Sequence, residues 1–179
     1  MEPAALAPSE ASVAMAEHPW QIERLDLDAY LARIGLSPQP PSRAALDELL
    51  EAHVRRFTFD NIDVLLDQHR GVGLDAVQSK FVGRGRGGYC FEHGTLFAAA
   101  LERLGYTVER RLGRVGDPNE KARTHTVVVV TLDDQQLLCD PGFGVSTLRP
   151  IPLVDGAEDD YGGRMLRVRE VPEGAGHAR

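Results

Sequence analysis

Several features are scarce in this chain of 179 residues, and each scarcity excludes a class of protein. Only two cysteines are present, which rules out a multi-disulfide framework and a four-thiolate zinc site and predicts free thiols in a reducing, cytoplasmic setting. The net charge of −7 argues against nucleic acid as a partner, because nucleic-acid binders carry an excess of basic residues. No apolar run approaches the roughly 20 residues that a membrane-spanning helix needs, so no membrane partner is expected.

The remaining composition is that of a globular protein, with 42% hydrophobic and 26% charged residues. At this length the chain can bury a core in one or two domains. Residues 1–19 are rich in Ala, Pro, Ser and Glu and lack the basic start of a signal peptide, which predicts a disordered leader. Six histidines are present, but no CxxC or HxxxH spacing accompanies them, so no metal site is expected.

Helical periodicity dominates the first hundred residues. Residues 26–36 predict a short helix that an aspartate caps and Gly35 ends. Ser42 is expected to cap a longer helix, and the segment FTFDNIDVLL after it is predicted to be irregular or extended. Asp75 can then cap a short helix, AVQSKFV, which leads into the glycine-rich loop GRGRGG.

The second half changes to strand patterns after one buried helix. The run CFEHGTLFAAALERLG is apolar on most faces, which is typical of a buried helix. Strands are predicted in YTVERRLGRV, THTVVVVTL and QLLCDPGFG, with one more in residues 161–170. We therefore predict an α+β fold, in which an N-terminal helical bundle (residues 20–105) precedes an antiparallel β-sheet or barrel domain (residues 106–172) and a tail (residues 173–179).

Cys90 is the residue best placed for chemistry, because it lies where a Gly-Gly turn enters the buried helix. The N–H groups and the dipole of a helix N-terminus stabilise a thiolate, and the nearby Arg84 and Arg86 act in the same direction. A thiolate beside a histidine is what a cysteine nucleophile requires. The alternative interpretation of the same position is a small buried residue at the start of a packed helix.

Two later residues are candidate partners of Cys90. His125 begins the VVVV strand and Asp140 ends the LLC strand, and the hairpin LDDQQ between them makes these strands neighbours. An aspartate that accepts the second N–H of a histidine fixes its tautomer and its orientation. The pattern predicts a cysteine-protease-like Cys-His-Asp core, although singly His125 also fits a strand-edge histidine and Asp140 a turn residue. His93, one helical turn from Cys90, is a competing partner with no obvious acid to orient it.

Several segments resemble one enzyme family. RGRGGYCFEHG resembles the Arg-Gly-Gly-x-Cys-x-Glu signature of the arylamine N-acetyltransferase family, and HVRRFTFDNIDVLL and CDPGFG resemble its Pro-Phe-Glu-Asn-Leu and Asp-x-Gly-Phe-Gly segments. The similarity covers about residues 24–170. By this resemblance the chain is a short form that lacks most of the family's third, C-terminal domain. Asp60 departs from the family's usual Glu, and Gly94 from its common Asn.

The resemblance implies an acetyl-CoA-dependent N-acetyltransferase of arylamines or arylhydrazines, active in xenobiotic metabolism. In the implied ping-pong cycle, Cys90 attacks the thioester of acetyl-CoA, His125 activates it and Asp140 orients the histidine; acetyl-Cys90 then passes its acetyl group to the amine. Acetyl-CoA is thus the expected co-substrate and an arylamine or hydrazine the expected partner. The residues implied to contact substrate or CoA lie around the triad: Phe59, Arg86, Gly88, Tyr89, Thr124, Gly142, Phe143 and Gly144.

Other functions are compatible with the same triad order. An amide synthase of this family would release an ansamycin-type polyketide from its carrier protein, and a hydrolase or transglutaminase-like enzyme would use the same three residue types. A truncated, catalytically inactive paralogue that binds a partner is the non-enzyme alternative. The surface that the missing domain would leave uncovered is also expected to favour a homo-oligomer.

Overall fold

The structure, a computed structural model, describes residues 18–117, 120–160 and 163–171. The predicted leader, apart from its last two residues, and the predicted tail lie outside these ranges. The helices of the first part are, in chain order, α1 (Leu27–Ile34), α2 (Arg43–Arg56), α3 (Ile62–Leu65), α4 (Leu74–Gln78) and α5 (Cys90–Arg103). A 3-10 turn precedes α1, at Ile22–Arg24, and a π-helical turn follows α4, at Ser79–Gly83. No helix in the described ranges has the length and apolarity to cross a membrane.

The predicted caps of α1 and α2 and the predicted end of α1 are confirmed. Asp26 Oδ1 accepts a hydrogen bond from the Ala29 N–H at 2.9 Å at the start of α1, and Gly35 ends that helix at a φ of 79°. Ser42 Oγ accepts from the Ala45 N–H at 3.1 Å at the start of α2. These side chains satisfy backbone groups that the helix ends leave without partners.

Two local predictions in the first half are wrong. The FTFDNIDVLL segment contains the helical turn α3, which begins where Asp60 Oδ1 accepts from the Ile62 N–H; four residues are too few for a periodic signal. The helix predicted over AVQSKFV begins earlier, after Gly73, with Asp75 in its first turn rather than at its cap. From Ser79 onward it becomes a π-helical turn, which places the Lys80 side chain in the interior.

The strands form one antiparallel sheet and a separate hairpin. They are β1 (Thr107–Gly113), β2 (His125–Leu132), β3 (Gln135–Cys139), β4 (Ile151–Pro152), β5 (Glu158–Asp160) and β6 (Met165–Arg167). The main sheet has the order β1-β2-β3-β4, and the described strands leave it open rather than closed as a barrel. Of the strand expected over residues 161–170, the described residues 163–170 contain β6, which pairs with β5 in the hairpin.

The hairpin between β2 and β3 determines which residues meet at the end of the sheet. Its two turn residues, Asp133 and Asp134, have φ values of 48° and 60°, as a type I′ turn requires. In the resulting register Val128 lies opposite Cys139. The first residue of β2, His125, and the residue after β3, Asp140, therefore lie at the same end of the two strands.

Helix α5 lies in the centre of the core and packs against β2. Leu96, Phe97 and Leu101 are fully buried, and Val128 and Val130 belong to the same hydrophobic cluster. A Cβ atom at Gly94 would lie 2.7 Å from Cγ2 of Thr126, so only glycine allows this approach of helix and strand. The close packing accounts for glycine at this position and holds the N-terminus of α5 beside the start of β2.

Candidate active site

Cys90 is the first residue of α5, and the segment from Thr58 to Asp60 holds the glycine turn before it in place. The Gly88 N–H donates to the Thr58 carbonyl at 3.1 Å, and the Gly88 carbonyl accepts from the Asp60 N–H at 2.8 Å. A Cβ atom at Gly87 would lie 1.7 Å from the same Thr58 oxygen. The double glycine is therefore required for close backbone packing, which positions the nucleophile candidate.

His125 joins Cys90 to Asp140. Its Nε2–H donates to Asp140 Oδ2 at 2.8 Å, and the Cys90 side chain is within hydrogen-bonding reach of the same ring, which leaves Nδ1 for the sulfur. Burial alone would lower the pKa of His125, but the hydrogen bonds to Asp140 and Cys90 and the charges of both groups raise it to about 9. The imidazolium is thus stabilised at neutral pH, as a thiolate–imidazolium pair requires.

The turn after Asp140 packs directly on Cys90. A Cβ atom at Gly142 would lie 2.7 Å from Cα of Cys90, and the Gly142 N–H lies 3.4 Å from Asp140 Oδ1. The Phe143 ring meets the His125 ring edge-on, with 5.3 Å between centroids. The acid and an aromatic wall of the site therefore come from one short turn.

Phe59 forms a second aromatic wall. Its backbone bridges to Gly88, its ring stacks near His93 at 6.4 Å, and a Cβ atom at Gly144 would lie 3.1 Å from the ring. Phe59 and Phe143 are both close to half exposed. The structure thus brings Phe59, Gly88 and the 142–144 turn together around the Cys-His pair.

The other three expected contact residues are placed differently. Thr124 presents its carbonyl oxygen to Cys90 Sγ at 3.8 Å. Tyr89 is the N-cap residue of α5, and its ring packs against His69 and Phe91. Arg86 donates to Asp63 Oδ1 at 2.8 Å, so its part-exposed guanidinium is paired with a carboxylate of the protein.

His93 is not available as the partner of Cys90, because both of its ring nitrogens are occupied. Its Nε2–H donates to the Thr58 carbonyl at 3.2 Å, so its Nδ1 accepts from His53 Nε2–H at 3.0 Å. Tyr30 OH then donates to His53 Nδ1 at 2.9 Å. Burial lowers the pKa of His53 well below its usual range and that of His93 to about 4, so this buried chain is neutral.

Sequence reasoning missed a group of four charged side chains, three of them buried, next to the helix that begins at Cys90. Lys80 Nζ bonds to Glu92 Oε1 at 2.9 Å and to Asp63 Oδ2 at 3.1 Å, and Arg86 pairs with Asp63. The Lys80 ammonium, with Arg86, holds the pKa of the Asp63 carboxyl below its usual range. The available signal was a lysine among apolar residues at helical spacing, since lysine is rarely buried unless it is paired.

No group of three His, Cys, Asp or Glu side chains that could hold a metal ion occurs in residues 18–117, 120–160 and 163–171.

Comparison with known proteins gives consistent relatives. A family model described as N-acetyltransferase matches residues 43–178. An arylamine N-acetyltransferase of Mycolicibacterium smegmatis is 42% identical over 142 residues, which are 74% of this chain and 52% of that protein. An arylamine N-acetyltransferase / N-hydroxyarylamine O-acetyltransferase of Salmonella typhimurium is 38% identical, over 68% of this chain and 45% of that protein. The chain spans about half the length of the curated relatives it matches.

Solved structures agree with the sequence relatives. The arylamine N-acetyltransferase from Mycobacterium abscessus superimposes with a TM-score of 0.77 at 40% identity, over 83% of this chain and 53% of that one. That of Mycobacterium marinum, solved in complex with CoA, has a TM-score of 0.69 at 34% identity, over 78% of this chain and 59% of that one. Both the predicted combination of helices with an antiparallel sheet and the resemblance seen in the motifs are confirmed. The chain belongs to the arylamine N-acetyltransferase family.

Proposed function

We propose that this chain is an acetyl-CoA-dependent N-acetyltransferase of arylamines or arylhydrazines, which acts in the cytoplasm through an acetyl-Cys90 intermediate. The observation that carries the proposal is the position of His125, which lies between Cys90 and Asp140 with one ring nitrogen for each. This order is the one that a cysteine nucleophile with an oriented base requires. Both cysteines are free thiols, which suits a reducing compartment.

In the first half of the cycle the Cys90 thiolate attacks the carbonyl carbon of the acetyl-CoA thioester. The carbon–sulfur bond to CoA breaks, and the imidazolium of His125 protonates the leaving thiolate. Asp140 keeps the ring in the tautomer and orientation that this transfer needs, because it accepts the Nε2–H throughout. The raised pKa of His125, about 9, keeps the proton available at neutral pH.

In the second half an amine nitrogen attacks the acetyl carbon of acetyl-Cys90. Neutral His125 accepts the proton of the amine, and the bond to the Cys90 sulfur breaks to restore the thiolate. The products are one amide and one CoA thiol. Phe59 and Phe143, half exposed on two sides of the pair, offer flat apolar surfaces for an aromatic acceptor.

Support for CoA as the donor comes from a relative. The Mycobacterium marinum structure is of an arylamine N-acetyltransferase in complex with CoA. In this chain Gly142 and Gly144 flank Phe143, and the lack of a side chain at Gly142 lets this turn pack directly on the backbone of Cys90.

The test is intact-mass spectrometry after incubation of the protein with acetyl-CoA. We expect a gain of one acetyl group in the parent protein and in Cys139→Ser, and none in Cys90→Ser. Since general acid–base catalysis contributes roughly 10²–10⁴-fold, His125→Gln should slow the gain by a factor in that range. Addition of an aniline should then remove the acetyl group from Cys90.

The Cys139→Ser variant is the matched control, because Cys139 is fully buried on β3 and burial raises the pKa of its thiol. An acetyl group that persists in Cys90→Ser would contradict the proposed nucleophile. A parent protein that acetyl-CoA leaves unchanged, while iodoacetamide alkylates Cys90, would contradict acetyl-CoA as the donor.

Self-association stays a prediction. Apolar side chains that a further segment or a second copy would cover are exposed along α3, at Ile62, Leu65 and Leu66.

A further inference from the structure

Four charged side chains beside α5, three of them buried, form one continuous cluster, here called the charge clamp: Asp63, Lys80, Arg86 and Glu92. Three of them, Asp63, Lys80 and Glu92, are almost fully buried. Lys80 lies between the two carboxylates, and the ring of His69, with Nε2 at 3.7 Å from Glu92 Oε1, borders the cluster. Buried charges of this kind are stable only as a complete set, because any member left alone stays desolvated without a partner.

Glu92 connects the charge clamp to the backbone of the nucleophile. Its Oε2 accepts from the Tyr89 N–H at 3.1 Å, and Tyr89 is the residue immediately before Cys90. A Cβ atom at Gly88 would lie 2.2 Å from the same oxygen. The carboxylate of Glu92 therefore occupies the space beside Gly88 and holds the first turn of α5 against the glycine loop.

Asp63 and Arg86 hold the other end of that loop. Arg86 donates to Asp63 Oδ1 at 2.8 Å, while Lys80 donates to Asp63 Oδ2 at 3.1 Å. Lys80 also donates to both oxygens of Glu92, at 2.9 and 3.1 Å. The Lys80 ammonium bonds both to Asp63, which holds Arg86, and to Glu92, which holds the Tyr89 N–H. It therefore links the two ends of the segment from Arg86 to Tyr89.

We propose that Lys80 is a positioning residue for Cys90: through Glu92 and Asp63 it holds the segment from Arg86 to Tyr89, and thereby the nucleophile, in line with His125. This inference rests on the proposed role of Cys90 as the nucleophile. Lys80 acts through these two carboxylates and does not touch the reacting atoms. Its loss leaves two buried carboxylates facing one guanidinium, so the segment that precedes Cys90 moves to admit water.

The test compares variants at the chain's only two lysines, Lys80 and Lys121. Lys80→Met removes the charge and keeps an unbranched apolar chain, and Lys121→Met is the matched control because Lys121 is exposed. Two reactions of Cys90 are followed by intact mass: acetylation over a range of acetyl-CoA concentrations, and alkylation by iodoacetamide. Cys139, fully buried, reports folding in the same spectra, since it is labelled only when the core opens.

We expect folded Lys80→Met to lose at least about ten-fold in the maximal rate of acetylation, since a misplacement of about 1 Å costs roughly 10²-fold. The acetyl-CoA concentration at half-maximal rate should change by less than about two-fold, because the variant alters alignment rather than donor contacts. Lys121→Met should match the parent. Two further variants should each recover part of the rate of acetylation. Lys80→Arg restores the cation. The double variant Lys80→Met/Glu92→Gln removes the unpaired anion but keeps an acceptor for the Tyr89 N–H.

A folded Lys80→Met variant that reacts at the parental rate would overturn the proposal, as would the failure of both recovery variants. If labelling of Cys139 shows that Lys80→Met is unfolded, Glu92→Gln decides: the proposal requires slower Cys90 chemistry with Cys139 protected, and parental rates refute it. The two proposals fail separately. Alkylation that depends on Lys80 without any acetylation refutes the acetyltransferase function alone, and acetylation that ignores Lys80 refutes the positioning role alone.

Discussion

Replacement of Gly142 by alanine would insert a methyl group between the turn that carries Asp140 and the helix that carries Cys90. The new Cβ would lie 2.7 Å from Cα of Cys90, 3.0 Å from Cβ of His93 and 3.2 Å from the Cys90 carbonyl oxygen. All three atoms belong to the first turn of α5. Since ordinary contacts begin near 3.4 Å, the turn and the helix have to separate by about 0.7 Å.

Two consequences follow from that separation. Overpacking of a close contact lowers the free energy of unfolding by about 1–3 kcal/mol. The same shift moves Asp140, and with it His125, away from the Cys90 sulfur, and a misplacement approaching 1 Å slows a reaction by roughly 10–10²-fold. Gly142→Ala should therefore lose both stability and reactivity at Cys90.

Urea denaturation measures the free energy of unfolding, and intact mass after a pulse of iodoacetamide measures the reactivity of Cys90. Gly73→Ala is the matched control, because Gly73 has a φ of −63° and no atom within 4 Å of an added Cβ. This control should change stability by less than about 1 kcal/mol. If Gly142→Ala behaved like Gly73→Ala in both assays, the packing of the turn on α5 would be wrong.

Two further predictions concern the histidines. NMR should show His125 titrating near pH 9, because its raised pKa keeps the imidazolium protonated up to that pH. Asp140→Asn should lower the midpoint of this titration, since it removes the negative charge of the acceptor. An unchanged midpoint would contradict the pairing of His125 with Asp140. Tyr30→Phe should lower the free energy of unfolding by about 1–3 kcal/mol in urea denaturation, because it leaves the buried His53 Nδ1 without a donor. A value equal to that of the parent would show that this nitrogen has another partner.

Structural features that depend on contacts between residues close in the chain could be predicted from the sequence. The caps at Asp26 and Ser42, the end of α1 at Gly35 and the β2–β3 hairpin depend on contacts within a few residues. The meeting of His125 and Asp140 belongs to the same class, because a two-residue turn places both at one end of adjacent strands. That contact was predictable without knowledge of the rest of the fold.

Other features depend on contacts between segments that are distant in the chain. The sequence left His93 as a competing partner for Cys90, although no acid to orient it was evident; in the structure its two ring nitrogens are bonded to His53 and Thr58. The family resemblance implied that Arg86 contacts substrate or CoA, but it did not indicate that Arg86 pairs with Asp63 on α3. Sequence alone does not show which partner a long polar side chain has, since many are within its reach.

The sequence by itself determined the order of the longer helices and of the first three strands, the helix start at Cys90, and the positions of His125 at the start of β2 and of Asp140 after β3, because periodicity, caps and turns are local. The tertiary structure alone decided why the loop before Cys90 contains two glycines and which charges hold it. The lack of a side chain at Gly87 makes room for the Thr58 carbonyl, and at Gly88 for the Glu92 carboxylate, which the ammonium of Lys80 holds in place. These constraints come from atoms brought together by folding, and a buried charge selects its partners only after water has been excluded.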